Sequence, residues 1–200
     1  MDYYNLFFIL ATTAGIVQLF GYWIYVQSID GKVNAGSWLI WTLSAGVDLI
    51  SYLYVTEANW LKSILPAACA LACIVTFLFL LTKGHFSMPD KSEWGMVAVD
   101  TVISLTWWAK ILSVIGANLM LQASTLFSAI PMIRGLLSGK ETEAVRPWAI
   151  WTLAYTIHTA AICLALDSWV ELAYPAANLV THAAVLYFAY RTSNLSRRKR

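Results

Sequence analysis

W-L-I-W-T-L at 38–43 returns as W-A-I-W-T-L at 148–153, a shift of 110 positions. Downstream, Trp60 and the P-A-A at 66–68 recur as Trp169 and the P-A-A at 175–177, at a shift of 109. Two motifs that keep their order and spacing mark a tandem duplication of a unit with at least two helices, with a linker between the copies. Duplicated helical units in a very apolar chain are a common plan among transporters.

Composition sets the medium. Hydrophobic residues make up 60% of the chain and charged ones 12%, with a mean hydropathy of +0.65. A soluble domain carries about 25% charged residues to clothe its surface, so half that share points to lipid. The net charge of +2 is too small for a nucleic-acid partner. The five basic residues within 191–200 read as a tail at a membrane surface. The expected partner surface is therefore the bilayer.

Seven spans can be cut, near 4–27, 37–55, 60–82, 92–110, 115–136, 147–166 and 169–190. Each has roughly the length that crosses a hydrocarbon core of about 30 Å as a helix. The breaks carry turn residues or charge: D-G-K at 30–32, M-P-D-K at 88–91 and S-G-K-E at 138–141. The fourth and fifth spans nearly fuse around 110–116. The opening M-D-Y-Y has no basic n-region, so no secretory signal is expected. With seven spans, Lys62 and Lys110 fall on one side and the other eleven of the 13 Lys and Arg on the opposite side. The positive-inside rule then predicts a multi-pass protein of the cell (inner) membrane, N-terminus outside and C-terminus cytoplasmic.

In this register spans one to three match spans five to seven, and the odd fourth span restores the orientation of the second copy. The expected fold is an all-α membrane protein: two parallel three-helix bundles joined by a linker helix, 3+1+3. Its parts are a first bundle at 1–86, a linker helix at 87–114, a second bundle at 115–191 and a basic tail at 192–200.

The 3+1+3 plan, with an aromatic motif opening the middle helix of each bundle, resembles the PQ-loop superfamily with its SWEET-like sugar transporters. It is also similar to the Pnu-type vitamin transporters, which carry W-x-x-W in the sixth span, here Trp148 and Trp151. Short bacterial membrane proteins with the same W-l-i-W-t-l signature and a proline in the fifth span, here Pro131, are nearest in texture. The resemblance implies a solute site near the midplane between the bundles. It does not extend to sugar specificity: Pro131 is followed by Met132, and Asn178 of the seventh span has Cys69 as its mate.

The costliest residues to place in a membrane are the polar ones. Asp48 lies mid-span in the second helix, and a shift of 110 maps it onto His158. The stripe Trp38, Trp41, Ala45, Asp48, Tyr52 matches Trp148, Trp151, Tyr155, His158, Ile162 at helical spacing. One reading is an aromatic-lined cavity closed by a titratable Asp48–His158 pair, which suits proton-linked transport. The other is an interhelical hydrogen bond between bundles, with tryptophans as interfacial anchors. Asn178 and His182, spaced i, i+4, add an amide and an imidazole opposite Cys69 and Cys73. Metal binding by His158, His182, Cys69 and Cys73 is the soft-ligand alternative, but no local ligand motif of known spacing is present, and neither metal nor cofactor is expected. The three cysteines, all within spans, give no disulfide framework.

Asp100 falls mid-span in the linker helix, and the sequence assigns it no partner; contact with Thr101 or with a neighbouring subunit is its plainest role. Gln18, Asn118 and Gln122 are candidates to reach the cavity. Gly21 and Pro131, mates at a shift of 110, are expected hinge points. No nucleophile–base pair or H-E-x-x-H motif indicates an enzyme. The expected activity is alternating-access transport of a small polar or aromatic solute. The competing reading is a non-transporting receptor or structural protein, as the KDEL receptor uses this fold. A homo-oligomer is compatible with either.

Overall fold

The computed structural model describes residues 2–28, 35–84, 91–140 and 143–198. The breaks expected at 30–32 and 88–90, Glu141, and the last two basic residues of the tail lie outside them. Seven α-helices follow one another: α1 (Tyr3–Ser28), α2 (Ala35–Val55), α3 (Trp60–Thr82), α4 (Lys91–Trp108), α5 (Val114–Ser138), α6 (Val145–Leu164) and α7 (Ala173–Arg198). A single 3-10 turn, Trp169–Leu172, leads into α7. No strand occurs among the described residues.

Local chemistry sets the helix ends. The Asn59 side chain accepts from the backbone N–H groups of Leu61 and Lys62 at 3.1 and 3.3 Å and starts α3. Its repeat mate Ser168 makes no such cap, and there the chain winds a 3-10 turn instead. Ser113 caps α5 by accepting from Gly116 N–H at 3.1 Å, so the near-fusion of spans four and five resolves into two helices with a break at 109–113. Lys110 sits in that break with φ +60°. Gly139 ends α5 in the left-handed conformation at φ +72°, where a glycine avoids the Cβ clash.

Five stretches are long and apolar enough to cross a membrane: Tyr3–Ser28, Trp38–Val55, Trp60–Thr82, Val114–Ser138 and Trp169–Asn194. α4 and α6 fall short, α4 through Asp100 and its charged start, α6 through its hydroxyl, aromatic and histidine residues. The exterior is apolar, with Ile16, Trp23, Leu71, Val102, Phe127 and Val180 exposed, while Gln18, Asn118 and His158 are buried. That inverted pattern suits hydrocarbon rather than water. Among the described residues the chain is all-helical, and five of its helices suit a membrane.

The helices close a ring. α1 and α2 both pack on α3, and α5 and α6 both pack on α7. The two groups meet where α1 lies along α6, the most extensive contact in the molecule, and where α2 meets α5. α4 leans on α5 and α2 from outside the ring.

Gly21 explains part of the α1–α6 contact. A Cβ there would collide with the Trp151 indole and lie 3.2 Å from Ile150 Cγ2. Gly21, an expected hinge point, lies within an unbroken α1 and allows the close approach of α6. α5 likewise continues through Pro131. Gly21→Ala should lower stability by about 1–3 kcal/mol through overpacking, read as a fall in the thermal midpoint of purified protein. A midpoint equal to wild type would show that Trp151 simply swings away.

Candidate functional site

A cavity of about 40 Å³ sits inside the ring. At about 10–15 Å³ for each water, it has room for roughly three waters and no more. α2 contributes Trp41, Ser44 and Asp48, one residue per turn on one face. α3 supplies Cys69 and Cys73, α5 supplies Thr125 and Ser128, and α7 supplies Tyr174, Asn178, Thr181 and His182. Of the residues expected at a solute site, Asp48, Asn178, His182 and Trp41 line this cavity. Trp38, Trp148, Trp151, Tyr155 and His158 stand outside the lining.

The expected Asp48–His158 pair is not formed. Asp48 Oδ1 accepts from Gln122 Nε2 at 3.0 Å and Oδ2 from Thr125 Oγ1 at 3.3 Å, both on α5. His158 is fully buried beside Tyr52 and Tyr174, at ring separations of 6.5 and 6.4 Å, and neither ring nitrogen has a partner. The cause is topology. α2 packs on α3, α4 and α5, whereas α6 packs on α1 and α7, so equal depth does not make the two residues neighbours.

His182 is better placed. Its Nδ1 lies 2.8 Å from the Asn178 carbonyl, which can only accept, so Nδ1 carries the proton and Nε2 of the neutral ring is an acceptor. The imidazole is stacked among Tyr155 at 4.6 Å, Trp148 at 5.3 Å and Trp41 at 6.1 Å. Asn178 Nδ2 donates to the Tyr174 carbonyl at 3.0 Å. On the α3 side the Tyr22 hydroxyl lies 3.3 Å from Cys69 Sγ and 3.0 Å from Cys73 Sγ. The two thiols and His182 share the cavity but His158 does not. No three His, Cys, Asp or Glu side chains converge as a metal group among the described residues.

Beyond the cavity, toward the N-termini of α2 and α6, the motif tryptophans close the bundle. Trp148 Nε1 donates to Glu143 Oε2 at 2.9 Å. Trp38 Nε1 donates to the Tyr25 hydroxyl at 3.0 Å, which donates to Glu143 Oε1 at 3.4 Å. One carboxylate thus ties both leading tryptophans of the repeat together. Trp41 of α2 also meets Trp148 of α6 edge to face at 5.7 Å.

The opposite end is closed by charge. Lys62 Nζ donates to Glu171 at 2.7 and 2.9 Å and to Asp167 at 2.6 Å. Lys62 and Glu171 are 1% and 2% exposed, and they stand 109 residues apart, the shift of the repeat itself. Equivalent positions of the two copies therefore carry opposite charges and pair between them. The Tyr52 hydroxyl adds a bond to the Glu171 carbonyl at 3.1 Å. By its span boundary alone, Lys62 counts with Lys110 as a basic residue of the outer side. The signal for its pairing was present: beside the aligned Trp60 and Trp169, the shift lands Lys62 on a glutamate.

Asp100, for which the sequence assigns no partner, is held by two serines. Its carboxylate accepts from Ser44 of α2 and, at 2.5 Å, from Ser124 of α5, so it fastens α4 to both. Thr101 turns instead to the Val97 carbonyl. No family model matches the chain, and no curated protein or solved structure was found to be similar to it.

Proposed function

We propose that the protein is a small-solute transporter that works by alternating access, and that the structure is its occluded form. The observation that carries this reading is a cavity lined by aromatic and polar side chains, with different contacts between repeat-equivalent residues toward its two ends. Trp38 and Trp148 join through Glu143 at one end, and Lys62 joins Glu171 at the other. Two unlike seals on one cavity are what is needed for each to open in turn.

The ring order supports the 3+1+3 plan. Each group of three has its third helix in the middle (α3 between α1 and α2, α7 between α5 and α6), with α4 as the linker. In this reading the chain resembles the PQ-loop and SWEET-like architecture. It lies in the inner membrane with the Glu143 end cytoplasmic and the Lys62 end outside. Trp41, Asp48, Asn178 and His182 contact the solute once an end opens. Trp38, Trp148, Trp151 and Tyr155 shape the passage. The proton link expected of Asp48 and His158 loses its His158 half, because the two do not meet.

The cavity thiols make the mechanism testable without knowing the solute. With exposed Cys163 replaced by serine, a membrane-impermeant maleimide should reach Cys69 and Cys73 slowly from either face of oriented vesicles. Glu143→Gln should speed labelling from one face only, and Lys62→Met from the other only. Each should give at least about tenfold, equivalent to ~1.4 kcal/mol of seal. Labelling that ignores both variants, or rises from both faces together, would favour a receptor or structural protein of this fold.

A further inference from the structure

The seam between α2 and α5 is short of hydrogen-bond donors. Ser51 Oγ gives its one hydrogen to the Asp48 carbonyl at 3.0 Å and accepts from Asn118 Nδ2 at 3.0 Å. That fixes the Asn118 amide with its nitrogen toward Ser51. Its Oδ1 is buried and has no donor. One turn along α5, Gln122 directs Nε2 at Asp48 Oδ1, and its Oε1 is likewise buried without a donor. Thr125 has a single hydroxyl hydrogen for two acceptors, the Leu121 carbonyl at 3.1 Å and Asp48 Oδ2 at 3.3 Å.

Along this seam, then, two buried amide oxygens have no donor, and Asp48 Oδ2 shares the one Thr125 hydrogen with a backbone carbonyl. Buried acceptors left this way are costly and rare. Asp100 provides the contrast: Ser44 and Ser124 each serve one of its two oxygens. No cationic side chain lines the cavity, and Lys62 is committed to Glu171 and Asp167 at one end.

We propose that this seam binds a monovalent metal cation of the sodium type, ligated by the Asp48 carboxylate and the amide oxygens of Asn118 and Gln122. All the atoms are hard oxygens, which select alkali and alkaline-earth ions over soft metals. The single carboxylate matches a single positive charge. A proton would also neutralise Asp48, but it brings one donor and leaves one amide oxygen orphaned. A cation draws on several oxygens at once. Because α2 and α5 belong to different halves of the ring, an ion held between them favours the closed form of that seam. As the coupling ion of the transporter, it rests on the reading above; as a binding site it does not.

The test is thermal unfolding of the full chain in detergent, titrated with sodium chloride against choline chloride at constant ionic strength. A saturable rise in the midpoint of about 4 °C is expected at tenfold excess over the dissociation constant. Asn118→Ala and Gln122→Ala should each weaken the apparent affinity about tenfold or more, and Asp48→Asn should remove the response. Should Asp48→Asn fail to fold, the two amide variants decide. Equal stabilisation by choline, an unchanged sodium response in both amide variants, or a response to pH alone would overturn the site, the last by identifying a proton as the occupant. Sodium binding without solute flux in liposomes would defeat the transport reading and leave the site standing. Flux indifferent to sodium, with no sodium binding, would do the reverse.

Discussion

Lys62→Met should destabilise the protein by about 3 kcal/mol, and Glu171→Gln by clearly less. The difference follows from what each change leaves behind. Without Lys62, the Glu171 carboxylate stays 2% exposed, held only by the Asp167 backbone N–H at 3.3 Å. An uncompensated buried charge is among the most damaging defects a single substitution makes. Without the Glu171 charge, Lys62 still donates to Asp167 at 2.6 Å, and that carboxylate is 84% exposed on its side chain. The exposed partner lets water reach one side of the pair, which keeps the estimate at the low end for a buried bridge. The double variant Lys62→Met, Glu171→Met should recover most of the loss, because an apolar pair of similar volume removes both desolvation penalties. Thermal or denaturant unfolding of the three variants measures the order. If Glu171→Gln costs as much as Lys62→Met, Asp167 does not hold the lysine in the absence of the Glu171 charge. The same double variant would show whether the pair is a latch or merely a staple, since a latch lost without loss of stability still changes access to the cavity thiols.

Most of the fold was legible because it is written in periodic and local signals. The doubled tryptophan motif aligned α2 with α6, and the apolar runs located all seven helices. The site was legible only in part. Repeat alignment gives depth along the membrane normal but not which helix is next to which. It therefore set Asp48 level with His158, although α5 and α7 lie between α2 and α6 around the ring. Gln122 and Thr125 hold Asp48 from α5, and nothing in their spacing tied them to α2. Glu143 was invisible for a different reason. It lies before α6, outside any span, and its meaning depends on the chain bringing Tyr25 and Trp148 to one carboxylate. Lys62 and Glu171 could have been found, since a salt bridge between repeat mates needs only the shift and the sign of each charge.

The four motif tryptophans should respond very unequally to replacement by alanine. Trp148 and Trp151 are 0% and 1% exposed, wedged between α1 and α7, and each should cost about 3–5 kcal/mol, the usual loss for a large buried aromatic. Trp41 lines the cavity and is only partly buried, so its removal enlarges an existing space and should cost less than half as much. Trp38 should fall between. Phenylalanine separates packing from hydrogen bonding. Trp148→Phe loses a donor to the Glu143 carboxylate, worth about 1.5–3 kcal/mol as a bond to a charged group. Trp151 Nε1 has no partner, so Trp151→Phe gives up no bond and should be nearly neutral. It should even rescue Gly21→Ala, whose added methyl meets the Trp151 indole. Four equal losses to alanine, or equal losses for the two phenylalanine variants, would mean that the repeated motif is a uniform packing device. Unequal losses in the order given would mean that duplication supplied one aromatic frame and that the two copies then diverged. In α6 the frame braces the ring and carries the Glu143 seal. In α2 it opens onto Ser44 and Asp48, where the cavity lies.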